Sequence, residues 1–217
     1  MKFKHHKKFA NFCEVYHPLV QHKLALLRNV KTTTKEFKEL VKEITVLLVY
    51  EATKNLPMTA KMVKTPLEIC EFPILAGIKP VILPILRAGL GMVDGFLELM
   101  PSARVGHIGL FRDEKTLKPC FYYFKIPANS KNREFFVCDP MLATGGSAIE
   151  AVNRLKQVGV HKIIFVCIIA APEGLIKFGK IHPDVPIFAA QLDRELNDHG
   201  YILPGLGDAG DRMFGTK

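Results

Sequence analysis

Residues 135 to 147 read Phe-Phe-Val-Cys-Asp-Pro-Met-Leu-Ala-Thr-Gly-Gly-Ser, and this stretch indicates the fold of the whole chain. The apolar run Phe135 to Cys138 predicts a buried strand. Asp139 stands at its carboxyl end, and residues 148–158 have the pattern of an amphipathic helix. Strand, acid, Gly-rich loop and helix in this order place free backbone N–H groups at a helix N-terminus, where they and the helix dipole attract a phosphate.

Two interpretations of this loop are open. Gly145 and Gly146 can simply serve a strand-to-helix turn, or they can let an anion approach the backbone closely because they lack a Cβ. In the second case Thr144 and Ser147 add hydroxyl donors, and Asp139 could hold ribose hydroxyls. The loop matches neither G-x-x-x-x-G-K-[ST] nor G-x-G-x-x-G, which disfavours a P-loop kinase and a Rossmann dehydrogenase.

The pattern around this loop predicts a doubly wound α/β fold with a mainly parallel sheet. Apolar strands at 81–86, 104–111, 121–126, 162–170 and 185–190 alternate with helical segments. Thr33 and Glu36 form a capping-box pattern before a helix that we expect to run to about Ala52. With 217 residues, 48% of them hydrophobic, the chain can form a single domain, 1–217.

Composition narrows the possible classes of protein. The net charge of +9 suggests an anionic partner. Residues 1–16 form a basic N-terminal extension, which such composition more often makes a flexible terminus than a nucleic-acid-binding arm. No apolar run is long enough for a membrane span, and the N-terminus lacks the apolar core of a secretory signal. Five cysteines without a C-x-x-C pair indicate reduced thiols and a cytoplasmic protein.

A second informative stretch covers residues 79–92, Lys-Pro-Val-Ile-Leu-Pro-Ile-Leu-Arg-Ala-Gly-Leu-Gly-Met. An apolar strand ends at Leu86, and Arg87 follows directly on its carboxyl edge, where open α/β sheets bind ligands. Arg87 could be a structural ion-pair partner. A guanidinium beside the exposed amides of Ala88 and Gly89 also suits a pyrophosphate, because it offers bidentate hydrogen bonds.

Both stretches resemble the uracil phosphoribosyltransferases. Residues 139–147 are similar to the family's phosphoribosyl-pyrophosphate loop, including Pro140 where most phosphoribosyltransferases have a second acid, and residues 84–92 are similar to its pyrophosphate loop. The Gly-rich stretch 197–217 is the most family-specific of all, and the resemblance begins at about His17. We expect no regular structure in 197–217, but an ordered loop.

The resemblance implies a type I-like phosphoribosyltransferase fold, with the C-terminal segment holding the base, and it implies a site. Its residues for phosphoribosyl pyrophosphate would be Arg87, Ala88, Gly89, Arg112, Asp139, Pro140, Met141, Leu142, Ala143, Thr144, Gly145, Gly146, Ser147 and Asp208. Its residues for uracil would be Tyr201, Ile202, Gly207, Asp208 and Ala209, acting largely through backbone groups. Among these, Arg87, Arg112, Asp139 and Asp208 would serve catalysis. The charged segment 112–119 is either a solvated hairpin tip or the family's mobile lid, which we favour.

The implied reaction joins uracil to phosphoribosyl pyrophosphate and yields uridine monophosphate and pyrophosphate, with Mg²⁺ held mainly by substrate oxygens. The apolar stripes of the N-terminal helices suggest a homodimer or higher homo-oligomer, and the resemblance makes GTP a possible activator, as in some relatives. The rival reading is an RNA-binding regulator of pyrimidine genes with the same fold. A purine or orotate phosphoribosyltransferase is a second rival, against which the C-terminal segment argues.

Overall fold

The computed structural model describes residues 9–112 and 119–216. Its strands are β1 (Phe12–Glu14), β2 (Met58–Lys64), β3 (Ile69–Leu75), β4 (Val81–Leu86), β5 (Arg104–Val105), β6 (His107–Arg112), β7 (Pro119–Lys125), β8 (Phe135–Cys138), β9 (Met141–Leu142), β10 (Ile163–Ala170), β11 (Ile187–Leu192), β12 (Glu195–Leu196) and β13 (Ile202–Leu203). Its helices are α1 (Pro18–Arg28), α2 (Thr34–Ala52), α3 (Leu90–Leu99), α4 (Gly146–Gln157), α5 (Pro172–Ile181) and α6 (Ala209–Phe214).

Nine strands form the main sheet in the order β1-β11-β10-β8-β4-β6-β7, with β5 beside β4 and β9 beside β10. The pairs are parallel, except that β6 and β7 form an antiparallel hairpin. Helices cover both faces. The doubly wound, mainly parallel α/β architecture predicted from the sequence is confirmed.

The central strands are apolar throughout because both of their faces are buried. In β8, Phe136 packs into the cluster that includes α1, α2 and α3, whereas Phe135 and Val137 pack into the cluster with α4 and α5. All four β8 residues are buried. This alternation holds the carboxyl end of β8 rigidly in the middle of the sheet.

Local signals place the first two helices well. The Thr33 hydroxyl accepts a hydrogen bond from the Glu36 amide at 3.3 Å, and the Glu36 carboxylate accepts one from the Thr33 amide at 2.9 Å. This is the capping box that the sequence predicts, and α2 ends at Ala52 as expected. His17 caps α1, and Pro18 occupies the first turn, where its missing N–H costs nothing.

The N-terminal extension is shorter than the predicted 1–16. Residues 12–14 form β1, which pairs in parallel with β11, and Phe12 is fully buried. A strand of three residues is too short to show an alternating pattern, so the sequence does not predict it. Residues 1–8, with most of the basic charge of the extension, lie outside the described residues.

The C-terminal stretch also differs from expectation. We expected residues 197–217 to lack regular structure, yet they contain β13 and α6. Asp208 caps α6 by accepting a hydrogen bond from the Asp211 amide at 2.9 Å, and Gly215 ends the helix with a φ of 65°. One cap at each end allows a short helix in a glycine-rich sequence.

One further segment completes the fold. Met58–Lys64 and Ile69–Leu75 form a separate antiparallel hairpin, β2–β3. Among the residues that the structure describes, no helix is both long and apolar enough to cross a membrane.

Candidate active site

The two predicted anion loops meet at the carboxyl edge of the sheet. β4 and β8 are parallel neighbours, so Arg87 and Asp139, which follow them, leave the sheet side by side. A Cβ placed on Gly89 would lie 2.5 Å from the carbonyl oxygen of Cys138. Glycine at position 89 is therefore what allows one loop to lie directly against the other.

The loop after β8 forms a cradle at the N-terminus of α4. Gly145 caps this helix with a φ of 79°, a conformation that side chains rarely adopt. A cavity of about 190 Å³ opens here, lined by Asp139, Met141, Leu142, Ala143, Thr144, Gly145, Gly146, Ser147, Ala148, His199 and Gly200. Backbone N–H groups at the start of a 12-residue helix give this cavity the character of an anion site.

Most of the residues predicted for the phosphate loop line this cavity, but Pro140 does not. Pro140 is buried, and its carbonyl accepts hydrogen bonds from the amides of Ile168 at 2.9 Å and Ile169 at 3.1 Å. It anchors the loop to β10. Any role of Pro140 toward a ligand is therefore indirect.

Asp139 is largely enclosed by protein. Burial raises the pKa of its carboxyl from the ordinary 3.8 to about 7, and the charge of nearby Asp208 raises it further, while the Met141 amide, 3.4 Å away, opposes the rise. In this environment the ionised carboxylate is stable only when hydrogen-bond donors contact it. Hydroxyl groups of a sugar would supply such donors.

Arg87 differs from Asp139 because it is free to meet a ligand. Its side chain is 59% exposed, and its Nη2 lies 3.7 Å from Oδ1 of Asp211. The next residue, Ala88, faces α6, since a Cβ placed on Gly210 would lie 3.9 Å from the Ala88 Cβ. The loop after β4 thus connects the cradle to the C-terminal segment.

The predicted base segment approaches the same edge. Ile202 is buried and pairs with β12, whereas Tyr201 is exposed. Gly207 has a φ of 78°, and a Cβ placed on it would meet only the Arg212 side chain, at 3.7 Å. Ala209 is fully buried in the core, so its methyl group faces the interior.

Sequence reasoning missed His199 and Gly200 as lining residues of the cavity. The side-chain oxygen of Asn197 accepts hydrogen bonds from the amides of His199 at 3.0 Å and Tyr201 at 2.9 Å, which folds this stretch over Thr144. Asn followed three residues later by Gly is a turn signal, and it could have placed the stretch in a turn. Nothing local indicates which loop the turn would face.

Most of the predicted lid, residues 112–119, lies outside the described residues. Arg112 is the last residue of β6, and its side chain and residues 113–118 lie outside the described part of the chain. The two strands that flank these residues, β6 and β7, form the antiparallel edge hairpin of the sheet. β6 also neighbours β4, whose last residue, Leu86, pairs with Gly109, so Arg112 lies three residues beyond the end of β4.

The described residues contain no cluster of three or more His, Cys, Asp or Glu side chains that could hold a metal ion. Asp139 and Asp208 are nevertheless close enough for their charges to interact. Two carboxylates of this kind fit a Mg²⁺ ion that takes its other ligands from water and phosphate oxygens. They do not fit a dedicated protein cage.

Comparison with known proteins decides the family. The sequence model of the family described as uracil phosphoribosyltransferase matches residues 14–216. The chain belongs to this family. The resemblance stated from residues 84–92, 139–147 and 197–217 is thereby confirmed.

Relatives of the family match over nearly their full length. A uracil phosphoribosyltransferase from Bacillus licheniformis is 59% identical over 93% of this chain and 96% of its own. One from Lachnoclostridium phytofermentans is 55% identical over 96% of this chain and 100% of its own. The solved structure of the AQ2163 protein from Aquifex aeolicus is 39% identical, with a TM-score of 0.89 over 94% of this chain and 97% of its own.

A more distant structure shows the fold alone. Adenine phosphoribosyltransferase from Trypanosoma brucei, solved in complex with AMP, pyrophosphate and ribose-5-phosphate, is 14% identical. It superposes with a TM-score of 0.57 over 91% of this chain and 88% of its own. The type I phosphoribosyltransferase fold expected from the resemblance is confirmed.

Proposed function

We propose that this protein transfers the phosphoribosyl group of phosphoribosyl pyrophosphate to uracil, giving uridine monophosphate and pyrophosphate. Membership of the uracil phosphoribosyltransferase family is the observation that carries the proposal. The site geometry is consistent with it, because an anion cradle, an exposed arginine and the C-terminal segment converge on one edge of the sheet.

The phosphoribosyl group would lie along the loop after β8. The 5′-phosphate fits the amides and hydroxyls of Thr144 to Ser147, at the positive end of α4. Asp139 would then accept hydrogen bonds from the ribose hydroxyls. These donors replace the water that burial removes from the carboxylate, so the carboxylate is stable as an anion once substrate is bound.

The pyrophosphate would face the loop after β4. Arg87 and the amides of Ala88 and Gly89 are suited to it, and Arg112 would close over it from the lid. Bond cleavage at the anomeric carbon places growing negative charge on this leaving group while the sugar becomes oxocarbenium-like. Positive groups held in position there lower the barrier, and no general acid is required, since pyrophosphate leaves readily. The N1 proton of uracil passes to solvent as the bond from N1 to the anomeric carbon forms.

Mg²⁺ is proposed as the metal cofactor. The ion would be held mainly by oxygens of the substrate, and by resemblance Asp208 would contact the phosphoribosyl group or this metal. When bound, the ion neutralises negative charge on the pyrophosphate. Asp208 also caps α6, which restrains its side chain.

Uracil would lie against residues 201–209. Uracil presents two carbonyl acceptors around one N–H donor, and backbone groups at Ile202 and Gly207 to Ala209 can supply the matching edge. Gly207 leaves room for a flat ring because no side chain projects from its Cα. Cytosine would place its amine against a backbone donor, which leaves buried groups unpaired and lowers its turnover by roughly 10⁴-fold.

A homo-oligomer, at least a dimer, is proposed as the working form. Hairpin β2–β3 carries exposed apolar side chains, with Met62 and Ile69 each 61% exposed. An isolated hairpin is only marginally stable in water, and a contiguous apolar surface usually marks an interface. Activation by GTP is proposed from the family resemblance. A cytoplasmic location is proposed because the five cysteines include no C-x-x-C pair.

A base panel tests the proposed reaction. The full chain is incubated with phosphoribosyl pyrophosphate, Mg²⁺ and uracil, cytosine, orotate, hypoxanthine or adenine, and nucleotide and pyrophosphate are measured. We expect a nucleotide product, uridine monophosphate, only in the reaction that contains uracil. Turnover of a purine or orotate would assign another base, and no turnover combined with tight, sequence-dependent binding of pyrimidine-leader RNA would support the regulator.

A further inference from the structure

A buried ion pair lies next to the proposed base segment and has no assigned role. Arg28 is the last residue of α1, and Asp193 follows β11 at the carboxyl edge of the sheet. The guanidinium binds the carboxylate in a bidentate manner, with Nη1–Oδ2 at 2.8 Å and Nη2–Oδ1 at 2.5 Å. The side chain of Asp193 is 2% exposed, so the carboxylate depends on this partner.

Both members of the pair also hold one residue of the C-terminal segment. The Gly205 amide donates a hydrogen bond to Oδ2 of Asp193 at 3.0 Å, and Arg28 Nη1 donates one to the Gly205 carbonyl at 2.5 Å. Gly205 has a φ of 67°, and a Cβ at this position would overlap the carbonyl oxygen of Ile202. The ion pair therefore fixes the tight turn between Ile202 and Gly207.

A second arginine, Arg212, holds the next residue of the C-terminal segment, Leu206. Arg212 donates hydrogen bonds to the carbonyls of Leu206 at 2.8 Å and Asn29 at 2.6 Å, and its guanidinium lies 4.5 Å from the centre of the Phe37 ring. Asn29 directly follows Arg28. Arg28 of α1 and Arg212 of α6 thus hold two consecutive carbonyl groups, those of Gly205 and Leu206, immediately before Gly207.

We propose that Arg28 and Asp193 are positioning residues that set the specificity of the base site. A buried ion pair adds little net stability compared with apolar residues of similar size, because both charges lose their hydration. Its distinctive contribution is a fixed geometry. Here that geometry is transmitted to the backbone of residues 202–207, and this inference rests on the proposed binding of uracil by that segment.

Two substitutions test the proposal. Arg28→Lys keeps the charge but loses the planar fork, and Asp193→Asn keeps the shape but loses the charge. Each is expected to raise the KM for uracil by 10-fold or more and to leave the KM for phosphoribosyl pyrophosphate within 2-fold. Each should also lower the ratio of kcat/KM for uracil to that for cytosine, because backbone donors and acceptors that are held less firmly discriminate less between the two bases.

The chain offers a matched control on the same helix. Lys23 of α1 pairs with Glu43 at 2.6 Å and does not touch the C-terminal segment. Lys23→Arg and Glu43→Gln repeat the two kinds of change at this pair. Both KM values should stay within 2-fold of wild type, and thermal unfolding of all four variants is recorded in parallel.

The outcomes separate the inference from the function on which it rests. No uridine monophosphate from the wild type would overturn the proposed function itself. With an active wild type, equal changes in both KM values, or unchanged uracil KM in folded variants, would overturn the positioning role. If neither Arg28→Lys nor Asp193→Asn folds, the pair is structural and the proposal is likewise rejected.

Discussion

Replacing Asp139 by asparagine should stabilise the protein at neutral pH while it impairs catalysis. Burial raises the pKa of Asp139 from 3.8 to about 7, so the folded state binds this proton more tightly than the unfolded chain does. A group whose folded pKa is raised makes the free energy of unfolding fall as pH rises between these two values. The difference between 3.8 and about 7, at about 1.4 kcal/mol for each pH unit, limits the gain in the free energy of unfolding from Asp139→Asn to about 4 kcal/mol above pH 7.

The assay is urea-induced unfolding, followed by circular dichroism, of wild type and Asp139→Asn in steps from pH 4.5 to 8. The two proteins should differ little at the acid end, and the variant should become progressively more stable toward pH 8. Asp94→Asn on α3 makes the same change at an exposed position and should shift the free energy of unfolding by no more than about 0.5 kcal/mol. A difference between Asp139→Asn and wild type that does not depend on pH would refute the reasoning.

Three other predictions concern the anion sites and the N-terminus. Arg87→Ala should leave thermal unfolding nearly unchanged, since the side chain is 59% exposed, and lower kcat/KM by about 10²-fold or more; a fully active variant contradicts the assignment. Gly146→Ala has room to fold, because a Cβ there meets only the Thr144 hydroxyl at 3.9 Å, but its methyl group should raise the KM for phosphoribosyl pyrophosphate at least 10-fold by obstructing the phosphate; an unchanged KM would place the phosphate elsewhere. Deleting residues 1–8 should keep turnover within a few-fold, and a much larger loss would show that the basic segment acts in catalysis.

The parts of the fold that the sequence predicted well are those with strong local signals. β8 and β10 are apolar along their whole length, and a run of that kind fits a strand that is covered on both sides. The capping box at Thr33 specifies where α2 begins, because both of its hydrogen bonds form within four residues. The loop at Gly145 combines an acid, small residues and a following helix, so its place at the sheet edge could be inferred.

The remaining features depend on contacts between distant parts of the chain. Arg28 and Asp193 are separated by 165 positions, and neither carries a local pattern that indicates a partner. Nothing local in the sequence indicates that the methyl group of Ala209 is buried, which results from the packing of α6 against α2. The lining role of His199 likewise results from the packing of one loop over another.

The pairing of β1 with β11 bears on how the chain folds during its synthesis. Phe12 is fully buried beside a strand that begins at Ile187, about 175 residues later in translation. At roughly 5–20 residues per second, a ribosome needs about 10 to 35 s to deliver that partner. During this interval β1 lacks its partner strand and the phenyl ring of Phe12 lacks the contacts that bury it. This edge of the sheet therefore cannot close until residues 187–189 have been synthesised.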